Sequence, residues 1–323
     1  LGSESRPEFK GTAKECVEFY RKRFKSVAGA TERLEAVGLV QGEDAAGRST
    51  YKFNENNEVN IAQPSGSRRK ELGPLFAHID DEFTREEFEA GLKNIAQFKM
   101  GGPDGWTAGA LRALAPPLQD VLFELIVTIQ REKALPYSLR AATLICLPKG
   151  AKGFSSTVHR PITLLSYALK LIERLYMARI KQVLLDNPQI IGISAQCGGV
   201  AGRSTTEAAR IVLTLIEDAI ARIDEGEDLP EGYEGLFIFS SDVSAAFDGL
   251  TAATKELALR RLGLPEGFLA FVKESQDNAP RRVRFADGTF SEEFVLKRGA
   301  AQGSILSPFI WIAFVAMWLD HAE

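Results

Sequence analysis

Three short stretches of this 323-residue chain place side chains where they could do chemistry. In SSDVSAAFDGL, residues 240 to 250, two carboxylates, Asp242 and Asp248, flank a small apolar core. The run ahead of it, GLFIF at 235–239, predicts a short buried strand. A carboxylate just past such a strand is either a helix cap or a ligand reaching into a site. In the second stretch, the strand-like LICL at 144–147 ends in Pro148-Lys149, a Gly/Ser loop follows, and His159-Arg160-Pro161-Ile162 leads into an amphipathic helix. A hairpin would bring Lys149 and Arg160 together to grip a polyphosphate, Arg as a bidentate fork and Lys as a point charge. Taken alone, two surface cations beside a loop are equally well solvated charges. In the third, KRGAAQGSILSPF at 297–309, the glycines allow close backbone approach and Gln302 is a neutral donor and acceptor at the mouth of a hydrophobic helix. The plainer alternative is a Gly-rich turn before a core helix.

The elements that must position these residues read as mostly helical with a few short strands, an α+β arrangement. Residues 7–37 carry helical apolar spacing, and 38–75, rich in Gly, Asn and Ser, predict a long loop or connector. Thr84-Arg85-Glu86-Glu87 is a capping-box pattern that opens a helix to about Phe98. GGPDGW at 101–106 is a turn feeding another helix, and further helices are expected at 116–133, 164–186 and 204–224. The apolar run 305–319, interrupted by Ser307-Pro308, is too short to span a bilayer and reads as a buried helix, with no membrane partner expected.

Composition is that of a globular chain, 45% hydrophobic and 25% charged, with net charge −4. An acidic balance weighs against a polycationic nucleic-acid binder, although local basic patches are compatible with it. The three scattered cysteines, Cys16, Cys146 and Cys197, read as reduced thiols.

Taken in order, GGPDGW (101–106), LPKG (147–150), RPITLLSYALKLIERLYMARI (160–180), AQCGGVAGRSTTEA (195–208), SDVSAAFDGL (241–250) and RGAAQGSILSPF (298–309) resemble the blocks of a non-LTR (LINE-type) retrotransposon reverse transcriptase. The resemblance covers roughly residues 84 to 320. It implies a reverse-transcriptase-like right-hand polymerase fold, fingers plus incomplete palm: an N-terminal helix and connector over 1–83, a fingers-like region over 84–225 and a partial palm over 226–323. It implies an RNA-directed DNA polymerase working by two-metal nucleotidyl transfer on RNA template, DNA primer and dNTP, in an intracellular and, for a retroelement product, nuclear setting.

Carried over residue by residue, Asp242 becomes a catalytic ligand of Mg²⁺ or Mn²⁺, hard cations that take oxygen donors. Phe247 becomes the bulky side chain under the sugar that excludes a 2′-hydroxyl. Lys149 and Arg160 would hold the incoming triphosphate, Gln302 and Gly303 would lie against the nucleotide, and Arg203 would contact the template strand. Asp248 is expected to cap the next helix. Phe285-Ala286-Asp287-Gly288 is expected to be a turn, because Asp-Gly is a hairpin signal. Asp80-Asp81, the one consecutive Asp pair, reads as a solvated helix entry. The family's third palm motif, with its paired aspartates, would lie beyond Phe309. Metal binding is therefore expected only with those palm carboxylates, supplied by further chain or by a protein partner completing the palm, and this chain alone is expected not to polymerise. The alternative is a non-catalytic, domesticated reverse-transcriptase-like scaffold or RNA-binding module within a larger complex.

Overall fold

The structure, a computed structural model, describes residues 39–43, 49–53, 72–95, 100–148, 159–191, 196–200, 203–224, 238, 243, 246–277 and 279–319. The helix expected at 7–37 lies outside the described residues, as does the strand expected at 235–239 apart from Ile238. The stretch 38–75 is not simply a connector. Within it β1 (Leu39–Glu43) pairs antiparallel with β2 (Ser49–Phe53), and residues 72–76 are helical. The β-branched and aromatic residues of STYKF outweighed the polar surroundings.

Helix α1 (Arg85–Lys93) starts where its capping box predicts. The Thr84 hydroxyl accepts from the Glu87 amide at 3.2 Å, and the Glu87 carboxylate accepts from the Thr84 amide at 2.8 Å. It stops at Lys93, short of Phe98. The GGPDGW turn then wedges Gly102 against the start of a later helix. A Cβ there would stand 2.5 Å from the Ser166 amide nitrogen, so only glycine fits. Helices α2 (Ala108–Arg112), α3 (Pro116–Glu132) and α4 (Tyr137–Arg140) follow, α3 opening on Pro116 at its first position, where the missing N–H costs nothing.

Strand β3 (Ala142–Pro148) and β4 (His159–Leu164) form the expected hairpin, in register Leu147 to Arg160 and Pro148 to His159. Residues 159–164 are thus strand, and α5 begins after them (Tyr167–Asp186). Beyond α6 (Thr205–Asp224) come α7 (Ala246–Gly249), α8 (Ala252–Arg261) and α9 (Glu266–Gln276). Strands β5 (Pro280–Val283) and β6 (Phe294–Val295) complete a four-stranded mixed sheet of order β4-β3-β5-β6, with β3 and β5 parallel. The sheet therefore joins segments from both sides of residue 225. The turn at 285–288 forms as expected. Gly288 has φ +85°, its amide donates to the Phe285 carbonyl, and the Asp287 carboxylate accepts from the Thr289 amide.

The core centres on α5, whose Leu169, Leu171, Ile172, Leu175, Tyr176 and Ile180 are buried. Tyr176 stacks edge-on to Phe83 and Phe268, with centroids 4.9 and 5.1 Å away. The buried Arg179 ties this helix to the turn before α1, donating to the carbonyls of His78, Ile79, Asp81 and Glu82 and to the Glu87 carboxylate. Helix α10 (Ser307–Leu319), apolar on every side, buries Phe309, Ile310, Ile312, Ala313 and Ala316. Among the described residues no helix is long and apolar enough to cross a membrane. Asp80 departs from expectation. Its carboxylate accepts from the amides of Gly267 and Phe268, so it caps α9, where Pro265 at the N-cap has no side chain to do so.

Candidate nucleotide-binding cleft

Arg160, Phe247, Gln302 and Gly303 come together in one cleft of about 370 Å³, whose wall also includes Asp248, Ser304, Ser307 and Pro308. Arg160 projects from β4 as an exposed residue. Phe247 sits on α7, half-buried, with its ring 5.8 Å from that of Trp311 on α10. Lys149 and Asp242 lie outside the described residues.

Backbone chemistry explains why the Gln302–Gly303 turn sits where it does. Gly303 has φ +141°, and a Cβ there would stand 2.2 Å from the Thr163 carbonyl oxygen, so any other residue would collide with β4. The Thr163 amide donates to the Gln302 carbonyl at 2.7 Å, fastening the turn to the strand that carries Arg160. On its other flank, the Ala300 amide donates to the Phe247 carbonyl at 2.8 Å, and the Gly299 amide donates to the Leu250 carbonyl. The three segments that form the cleft are thus joined by main-chain hydrogen bonds.

Asp248 is not the cap of the following helix. Thr251 caps α8, its hydroxyl accepting from the Thr254 amide at 3.1 Å. Asp248 is instead buried in the cleft wall, where the Gln302 side-chain amide donates to it at 3.4 Å. Arg203 stands at the start of α6, paired with Glu207, and is not part of the cleft lining.

The sequence reading missed the residues underneath. Glu173, in the middle of α5, is completely buried. One of its oxygens accepts from the Ser304 hydroxyl at 2.6 Å and the other from the Ile305 amide at 2.8 Å. Gln276 of α9 lies beside it, its amide group donating to the Ser304 hydroxyl and its carbonyl accepting from the Ala301 amide. Burial pushes the Glu173 carboxyl up to about 7, against the opposing pull of those hydrogen bonds and of Lys170 and Arg281. Arg281 is itself lowered to about 10 by burial. Lys255, fully buried, donates to the Gly299 carbonyl at 2.9 Å and pairs with Asp277, whose carboxyl burial raises. A sequence signal for Glu173 did exist: it falls on the same helical face as Leu169, Tyr176 and Ile180.

Among the described residues, no three His, Cys, Asp or Glu side chains are grouped to hold a metal ion. Among the described residues Asp248 is the one carboxylate in the cleft lining, so the described donors do not by themselves make a divalent-cation site.

A mixed sheet under a mainly helical body, with a cleft walled by an arginine, an aromatic and a Gln-Gly turn, is a form that can hold a phosphorylated ligand. In sequence the chain is similar to regions of non-LTR retrotransposon polyproteins and polymerases. No family model matches the chain. It is 28% identical over 210 residues to the Pol polyprotein from type-2 retrotransposable element R2DM of Drosophila melanogaster, covering 65% of this chain and 18% of that protein. It is 26% identical over 238 residues to the Pol polyprotein from type-1 retrotransposable element R2 of Popillia japonica, covering 73% and 30%. It is 27% identical over 239 residues to a probable RNA-directed DNA polymerase from transposon BS of Drosophila melanogaster, covering 72% and 24%. The matches thus span between 18% and 30% of the length of these three relatives.

Proposed function

We propose that the chain forms the nucleotide-binding portion of an RNA-directed DNA polymerase, acting on RNA template, DNA primer and dNTP. The observation that carries this reading is the cleft, which collects Arg160, Phe247, Gln302 and Gly303 from segments up to 143 residues apart. The similarity to retrotransposon polymerases supports the same chemistry.

In this reading Arg160 pairs with the triphosphate through its guanidinium fork, and Lys149, just past the end of β3, adds a second cation. Phe247, braced by Trp311, lies under the sugar and leaves no room for a 2′-hydroxyl. Gly303, without a side chain, lets the templating pair approach the backbone. Asp242 keeps the metal-ligand role that the resemblance assigns it, together with carboxylates beyond the described donors. Arg203 contacts the template backbone. Residues 84–225 serve as fingers and 226–323 as part of the palm of a right-hand polymerase.

The test is dNTP binding by this chain, alongside single-nucleotide primer extension on an RNA template, with Mg²⁺ or Mn²⁺, once the further palm carboxylates are supplied. Arg160→Ala is expected to weaken dNTP binding about tenfold or more, the loss of one charge-assisted contact. Asp242→Ala is expected to abolish extension while leaving the fold intact. Binding unaffected by Arg160→Ala would refute the assignment of the cleft.

A further inference from the structure

The turn that carries Gln302 and Gly303 is held from beneath by a single carboxylate. Both oxygens of Glu173 accept hydrogen bonds from the turn, from Ser304 and Ile305. A carboxylate wholly inside a hydrophobic helix face is unfavourable unless its oxygens are satisfied. Here the satisfaction comes from a segment 131 residues away in the chain. The groups facing Glu173 are Lys170 on its own helix, Arg281 on β5, Gln276 on α9 and Ser304 on the turn.

We propose that Glu173 is a positioning residue of the cleft, latching the turn 301–306 so that Gln302 and Gly303 meet the nucleotide in one fixed place. This rests on the nucleotide-binding reading of the cleft. The geometry gives the latch a direction. The ionised carboxylate accepts fully from both donors, whereas the protonated acid carries an O–H on one oxygen, which then accepts more weakly. The turn is consequently held tightest above the carboxyl's titration, which burial brings up to about 7.

The test measures amide hydrogen exchange in the intact chain, comparing wild type with Glu173→Gln and Ser304→Ala. Both variants are expected to speed exchange of the 300–306 amides about tenfold, the loss of about one hydrogen bond, while α5 and α9 stay protected. In wild type, exchange of the same amides, corrected for the intrinsic pH effect, is expected to slow as pH rises through about 7. Glu173→Gln is expected to remove that dependence. Unchanged exchange at 300–306, or equal acceleration across α5 and α9, would overturn the latch. Nucleotide binding provides a separate readout: Glu173→Gln is expected to weaken dNTP binding about tenfold, for the same lost bond, while Ser166→Ala, remote from the turn's hydrogen bonds to Glu173, leaves it unchanged. If wild type binds no dNTP, the nucleotide-binding reading fails, and the exchange comparison still decides the latch.

Discussion

Asp80 and Gly267 are 187 residues apart, yet the Asp80 carboxylate accepts the Gly267 amide hydrogen at 2.6 Å and that of Phe268 at 2.8 Å. The start of α9 is thereby capped from the turn before α1, which locks the N-terminal part of the described chain to the helix that carries Gln276. Asp80→Ala is expected to cost about 1–2 kcal/mol, the usual value of an N-cap, and Asp80→Asn much less. Urea denaturation with tryptophan fluorescence would measure both, and equal losses in the two variants would argue against capping.

Gly303 leaves no room for substitution. Gly303→Ala is expected to destabilise the chain by about 2–4 kcal/mol, because it combines a disfavoured φ with a collision against the Thr163 carbonyl. A thermal melt would register the loss. Loss of dNTP binding should accompany it, since the turn cannot keep its bond to β4.

Phe247 offers a specificity test. Phe247→Ala is expected to admit ribonucleotides, shifting the dNTP to rNTP ratio of kcat/KM by about tenfold or more, the scale of a lost steric contact. The readout is competitive single-nucleotide incorporation once the further palm carboxylates are supplied. An unchanged ratio would mean that the ring does not lie under the sugar.

Glu173 also makes a prediction about stability, with the opposite sense to its latch. Its folded carboxyl, at about 7, is raised above the ordinary 4.5, so the folded state binds the proton more tightly than the unfolded. The stability this contributes is complete below about 4.5 and is lost as pH rises to about 7. The change is worth about 3 kcal/mol, at about 1.4 kcal/mol for each tenfold in proton affinity. Wild type should therefore lose stability relative to Glu173→Gln between about pH 4.5 and about pH 7. Parallel stability curves for the two proteins would contradict a raised Glu173.

The buried pair Lys255–Asp277 supports the Gly299 carbonyl at the base of the same loop. Lys255→Met is expected to cost about 3–5 kcal/mol, because it leaves the Asp277 carboxylate buried without its partner. Lys255→Met with Asp277→Leu should recover much of that loss in denaturant titrations.

Local chemistry was legible in the sequence. The capping box at Thr84–Glu87, the Asp-Gly turn at 287–288 and the all-apolar α10 each depend on residues a few positions apart, where propensity and capping act directly, and the β3–β4 hairpin pairs strands that are neighbours in the chain. Three of the six blocks also contain the segments that meet in the cleft. What only the tertiary structure decided is which polar side chain serves a distant element. Asp80 caps α9 instead of standing solvated at its own turn, Asp248 lines the cleft while Thr251 caps α8, and Glu173 holds the Gln302 turn from the buried face of α5. A buried carboxylate must find its donors wherever packing brings them, and that choice is made by contacts across more than a hundred residues, which no local pattern encodes.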